Sequence, residues 1–325
     1  MPVQEDRSFH PSPFLDNPHL QTIFPALFRK AMDVHYVRER ITLKDGDFLD
    51  IDRTFAGGNK IVILLHGLES NSSANYITRL AYLLHRMNFD VAAVNFRGCS
   101  GTPNLLFKAY HSGKTDDVAE VVTHINQTGK YEAVYMVGFS LGGNVLLKYL
   151  GEMSNNLPSI IKSAAAVSVP CDLSSSSLKL QSVENGIYAR RFLHSLKNKV
   201  KEKKNLFPFW FDINQKDHIK TIEDFDNWYT APANEFASAQ EYYAKSSSRF
   251  FLPSITRPTL LLNSLDDPFL TNQCMPFNEA NENPYLLFSY TRKGGHVGFH
   301  SKKLFGLMHW HEKKVISFLI NNHLD

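Results

Sequence analysis

Three short stretches carry side chains whose chemistry is complementary: Gly138-Phe139-Ser140-Leu141-Gly142, Leu265-Asp266-Asp267-Pro268 and Gly294-Gly295-His296-Val297. Serine is a weak nucleophile at neutral pH and needs a base. An imidazole titrates near neutrality and can take the proton, while a carboxylate fixes the imidazole tautomer and stabilises its cation. A serine activated in this way attacks acyl carbon. The oxyanion that forms needs two backbone NH donors, each worth about 2.7 to 4 kcal/mol in the transition state.

Each group needs an element to hold it. Ala133 to Val137 is a continuous apolar run, the pattern of a central parallel strand covered on both faces, and Val145, Leu146, Tyr149 and Leu150 follow on a helical period. Between them G-x-S-x-G reads as a nucleophile elbow, with Ser140 lifted at a strained strand-to-helix turn. The bare pattern recurs by chance in unrelated chains; its context of strand, turn and helix is what gives it weight. A second strand, Ile61 to Leu65, runs into His66-Gly67-Leu68-Glu69-Ser70. There the Leu68 NH is expected to join the Leu141 NH as the oxyanion pair, with His66 a structural hydrogen-bonding residue. The strand Thr259 to Asn263 precedes the acid, and a count of three residues from Asn263 selects Asp266. Asp267 is the alternative acid, and the carboxylate not used caps the loop. His296 stands in a Gly-rich loop after a last strand, Tyr285 to Thr291.

The rest of the chain supplies the frame. NPHLQTIFPALFRK from Asn17 spaces its apolar residues as a short helix interrupted by Pro25, with no assigned role. Tyr36 to Leu43 and Phe48 to Phe55 flank KDGD, a hairpin that would form an antiparallel edge. Val91 to Phe96 and Ala164 to Val169 are further strands, and Asp116-Asp117 suits a helix start as caps. Strands alternating with helices predict an α/β fold, a mostly parallel sheet wrapped on both faces. The alternation stops at Pro170. Residues 171–253 read as an inserted helical cap between a first core part, 1–170 with its N-terminal segment 1–34, and a second, 254–325. Within the cap, Lys197, Lys199, Lys201, Lys203 and Lys204 precede LFPFWF, read as a solvated helix followed by an aromatic plug.

Composition excludes several classes. A charge of +3 on 325 residues argues for no nucleic-acid partner, and no cofactor motif is present. Cys99, Cys171 and Cys274 show no metal spacing, and His300, His309 and His311 lack a carboxylate or cysteine to complete a zinc set. No metal is therefore expected. The polar N-terminus lacks a signal-peptide h-region, and no run of about 18 apolar residues occurs, so a cytoplasmic protein without a transmembrane segment is expected.

With NPHLQT, HGLE, NFRGCSG, AYHSG, GFSLGGN, FDNWYTAP, Tyr242-Tyr243, LDDPF and GGHVGF in this order, the sequence resembles the YheT-like branch of the α/β-hydrolase superfamily over nearly its whole length. The resemblance implies the α/β-hydrolase fold with a helical cap, and a triad of Ser140, one Asp of the 266–267 pair and His296. It also implies a carboxylesterase acting on short- to medium-chain acyl esters, with the small-molecule ester as partner. Eukaryotic relatives include lipid hydrolases and acyltransferases, often with an N-terminal membrane anchor, which is not expected here. Ser70 departs from the glycine common after HGLE in relatives. The same triad would serve an acyltransferase or a thioesterase, and a non-catalytic binding protein could keep the fold without the reaction.

Overall fold

The computed structural model describes residues 2–204, 206–207, 218–301 and 308–321. In chain order the strands are β1 (Val3–Glu5), β2 (Val37–Thr42), β3 (Phe48–Thr54), β4 (Lys60–Leu65), β5 (Asp90–Asn95), β6 (Ala133–Phe139), β7 (Ile161–Val167), β8 (Thr259–Ser264) and β9 (Leu286–Thr291). Among the described residues they form one sheet in the order β1-β9-β8-β7-β6-β4-β5-β3-β2. All neighbours pair in parallel except β2 with β3 and β3 with β5. The KDGD hairpin makes that antiparallel edge. The parallel edge strand β1 lies in a segment whose polar, proline-punctuated sequence carries no strand signal.

The helices are α1 (Pro18–Phe28), α2 (Asn75–Arg86), α3 (Thr115–Gln127), α4 (Leu141–Met153), α5 (Leu173–Leu180), α6 (Gly186–Lys204), α7 (Ile222–Phe225), α8 (Ala231–Ala233), α9 (Ala239–Ser246), α10 (Phe277–Glu282) and α11 (Trp310–Asn321). Side chains of a strand alternate between its faces, and β4 shows what that requires in the middle of a sheet. Ile61, Ile63 and Leu65 enter one core with Val121 and Val122 of α3 and Val145 of α4. Val62 and Leu64 enter a second core with Leu80 and Leu84 of α2 and Leu319 of α11. Both faces are dry, so an uninterrupted apolar run is the only sequence that satisfies the strand.

Between β7 and β8 the chain leaves the sheet. It runs through α5 to α9, with a π-helical turn at Asp226–Thr230 between α7 and α8, before returning at Thr259. Leu193, Val200, Ile222 and Phe225 form a small core of their own there. Lys203 is buried rather than solvated, and its ammonium donates to the carbonyls of Leu106, Phe107 and Lys108 at 2.7, 3.0 and 2.9 Å. These bonds tie the end of α6 to the loop after β5. Of the expected aromatic plug, residues 208–211 lie outside the described residues; Phe207 meets Phe107 edge-on at 5.7 Å. Asp117, expected as a helix cap, is buried and takes a bidentate pair from Arg97 at 2.6 and 2.8 Å. No described helix is long and apolar enough to cross a membrane.

Candidate active site

Strand β6 delivers Ser140 and α4 begins at the next residue. The elbow is tight: a Cβ on Gly142 would lie 2.4 Å from the His66 carbonyl oxygen, and one on Gly138 would lie 2.5 Å from the Gly142 carbonyl oxygen. Ser140 itself sits at φ 52° and ψ −121°, a conformation costly for a residue with a side chain. That geometry turns its hydroxyl out of the sheet. His296 Nε2 lies 2.9 Å from Ser140 Oγ, and His296 Nδ1 lies 2.8 Å from Asp267 Oδ2 and 3.1 Å from Asp267 Oδ1. A continuous line of hydrogen bonds therefore runs from Asp267 through the imidazole to Ser140. Phe269 packs its ring 4.2 Å from the imidazole and restricts its tilt.

The count predicts that Asp266 faces His296, and the geometry corrects this: Asp267 does. Asn263 is no turn residue; it lies inside β8, fully buried, where its amide bonds Val169 and Cys274. The strand ends at Ser264, so the same count of three reaches Asp267. Asp267 is buried, its Oδ1 accepts from the Phe269 NH at 2.9 Å, and it faces the histidine. Asp266 turns aside and accepts from the Gly295 NH at 3.0 Å, while burial raises its carboxyl above the ordinary range. It braces the histidine loop from outside.

The other sequence-derived residues also occupy one place. Leu68, Leu141, Ser140 and His296 line the same cavity, of about 140 Å³. Among the described residues, neither the Leu68 nor the Leu141 NH donates elsewhere, whereas the Gly67 and Glu69 NH groups are taken by Tyr76 and Tyr110 hydroxyls at 3.0 and 2.9 Å. Leu141 is also the first residue of α4, so its NH stands at the positive end of a helix. His66 is structural: Nδ1 donates to the Gly67 carbonyl at 2.7 Å, and Nε2 accepts from the Phe96 NH at 3.1 Å. Burial lowers this imidazole to about 3, so it stays neutral and holds the loop in one shape. Ser70 accepts from Tyr76 at 2.8 Å, behind the loop. His309 stacks on His311 and His300 lies tilted against His309, and among the described residues no His, Cys, Asp or Glu group of three could hold a metal ion.

Comparison with known proteins bears on the fold that holds these residues. A family model described as the alpha/beta hydrolase fold matches residues 60–302, most of the chain. The chain belongs to the α/β-hydrolase family. YheT of Escherichia coli K12, named for a proposed esterase activity, is 32% identical over 96% of this chain and 92% of its own. A monoacylglycerol lipase of Saccharomyces cerevisiae is 30% identical over 80% of this chain and 58% of its own. Among solved structures, the esterase Pf2001 of Pyrococcus furiosus superposes with a TM-score of 0.60 at 18% identity, covering 88% of this chain and 90% of that one, which is a likeness of fold.

Three supports of this α/β-hydrolase site escape sequence reading. Helix α1, which carried no role, clamps the histidine loop: Thr22 Oγ1 accepts from the His296 NH at 2.9 Å, and Gln21 makes two bonds with the His300 backbone, at 2.7 and 3.0 Å. Ser168, at the end of β7, accepts from the Val297 NH at 2.9 Å. Asn144, one turn into α4, donates to the Ser112 and Ser246 carbonyls at 2.8 Å and accepts from the Ser248 NH at 2.9 Å. A buried asparagine on the core face of a helix is a sequence signal for such a junction, but its partners are far away in the chain.

Proposed function

We propose that this α/β-hydrolase is a serine carboxylic ester hydrolase for short- to medium-chain acyl esters. The hydrogen-bond line Asp267–His296–Ser140 at the wall of the cavity carries the proposal. Ser140 Oγ attacks the ester carbonyl while His296 Nε2 takes its proton, and Asp267 accepts from Nδ1 and stabilises the imidazolium. The Leu68 and Leu141 NH groups receive the oxyanion. As the tetrahedral intermediate collapses, the imidazolium returns its proton to the leaving alcohol, and the acyl group stays on Ser140. Water, deprotonated by His296, then attacks the acyl carbon and frees the acid and the serine.

The substrate class rests on the cavity and on the relatives. Leu173, Leu180, Phe192, Val200 and Phe225 make its wall largely apolar, and its volume resembles that of cavities that accept a benzene-sized ligand, on the order of six carbons. The relatives' names, an esterase and a monoacylglycerol lipase, describe ester cleavage.

Hydrolysis of p-nitrophenyl esters from acetate to palmitate by the wild type and by Ser140→Ala tests the reading. Turnover that peaks at short or medium chains and falls by up to about a millionfold in the variant is expected. A wild type inert to all of them, yet labelled at Ser140 by a serine-directed phosphonate, moves the substrate to thioesters or to acyl transfer onto an alcohol. With neither turnover nor labelling the protein is a binding homologue.

A further inference from the structure

Glu69 follows the Leu68 peptide in the oxyanion loop, at φ 52° with a side chain that must bear that conformation. Such a backbone persists where its surroundings over-determine it, and here they do. Its NH donates to the Tyr110 hydroxyl at 2.9 Å, and that hydroxyl donates back to Glu69 Oε1 at 2.6 Å. Oε1 also accepts from Lys199 Nζ at 2.9 Å, and Oε2 accepts from Ser195 Oγ. Ser195 and Lys199 are four residues apart, hence on one face of α6. The Glu69 side chain is 3% exposed and that of Lys199 is 29% exposed, so the ion pair is shielded from solvent and salt. Lys199 is further fixed by Cys99 Sγ at 3.0 Å and lies 5.1 Å from the centre of the Tyr110 ring.

Helix α6 belongs to the segment between β7 and β8, whereas Glu69 belongs to the loop after β4. A single carboxylate therefore joins the wall of the cavity to the peptide that carries an oxyanion donor. We propose that Glu69 is a positioning residue, through which α6, by way of Lys199 and Ser195, sets the aim of the Leu68 NH. The inference rests on the esterase reading for its kinetic consequence. Its structural content does not: with α6 seated the loop is held, and with α6 displaced the loop is released.

Glu69→Gln keeps the shape and most of the hydrogen bonds but removes the charge, and Lys199→Met removes the partner from the other side. With p-nitrophenyl butyrate, each is expected to lower kcat by about ten- to a hundredfold with KM changed less than about threefold, because the donor is misaimed rather than the cavity altered. The double variant is expected to be no slower than the worse single one, since the two residues act as a unit. A kcat within twofold of wild type in both single variants, or a loss confined to KM, overturns the proposal. Hydrogen exchange of the peptide spanning 66–72 reads the coupling without turnover. Lys199→Met is expected to speed exchange there by at least about tenfold, and unchanged protection overturns the proposal even if the wild type proves inert. Wild-type turnover that is lost in Ser140→Ala keeps the esterase reading whichever way Glu69 behaves. Should Glu69→Gln fail to fold, Ser195→Ala and Lys199→Met carry the same test from the α6 side.

Discussion

The Thr22 hydroxyl oxygen lies 2.9 Å from the backbone nitrogen of His296, 274 residues away, so a helix near the N-terminus holds the loop that carries this histidine. The same hydroxyl donates to the Pro18 carbonyl at 2.7 Å, which holds it in place on α1. Thr22→Val keeps the shape and removes the acceptor. An unsatisfied buried NH costs about 1–3 kcal/mol, and the loop is expected to relieve it by shifting. Steady-state kinetics should show kcat lowered by about tenfold at little changed KM, and thermal melting a lowered Tm.

Asp267 and Asp266 are adjacent in sequence but differ in partner, His296 for the first and the Gly295 NH for the second. Asp267→Asn cannot hold the imidazole in the tautomer whose Nε2 accepts from Ser140, and a loss of up to about 10⁴ in kcat is expected. Asp266→Asn weakens only a brace on Gly295, and a loss below about tenfold is expected. Assaying the two variants side by side checks the assignment, and the reverse ranking would restore Asp266 as the acid.

Asp226 lines the cavity and accepts from Tyr243 at 2.7 Å, and burial pushes its carboxyl up to about 6. A group that binds its proton more tightly when folded stabilises the fold while protonated. Its contribution is full below its unfolded value near 4 and is lost as pH rises through about 6, where ionisation costs up to about 3 kcal/mol. Asp226→Asn removes that titration. Urea unfolding at pH 4.5 and pH 7 is expected to show the variant gaining stability relative to wild type at the higher pH; a difference between the two proteins that does not change with pH would refute it.

Gly142→Ala puts a methyl group against two backbone oxygens, of His66 at 2.4 Å and of Leu65 at 2.5 Å, neither of which can rotate away. A destabilisation of about 3 kcal/mol or more, with loss of phosphonate labelling at Ser140, is expected. Gly186→Ala at the start of α6 meets nothing closer than the Arg190 guanidinium at 4.0 Å and should leave stability within about 0.5 kcal/mol. Chemical denaturation of both variants reads the contrast.

What the sequence by itself determined was local chemistry and local periodicity. The apolar run of β6 ending at Gly138, the small residues of the turn and the helical period after Leu141 place Ser140 at a strand-to-helix turn without coordinates. The places of the 266–267 pair and of His296, in the loops that follow β8 and β9, were legible from the apolar runs of those strands. Strands alternating with helices were enough for a mostly parallel sheet with an antiparallel edge. Tertiary structure decided whatever depends on where a strand stops or on who stands opposite. Asp267 rather than Asp266 faces His296 because β8 extends one residue further, to Ser264, and a one-residue change turns a side chain to the other side. The short strand β1 exists because β9 offers an edge, as its own residues carry no strand pattern. Thr22 on His296, Lys199 on Glu69 and Asn144 on Ser246 join segments more than 100 residues apart. Such bonds are polar, directional and non-periodic, so they leave no pattern in the sequence, and only the folded sheet brings their ends within hydrogen-bonding distance.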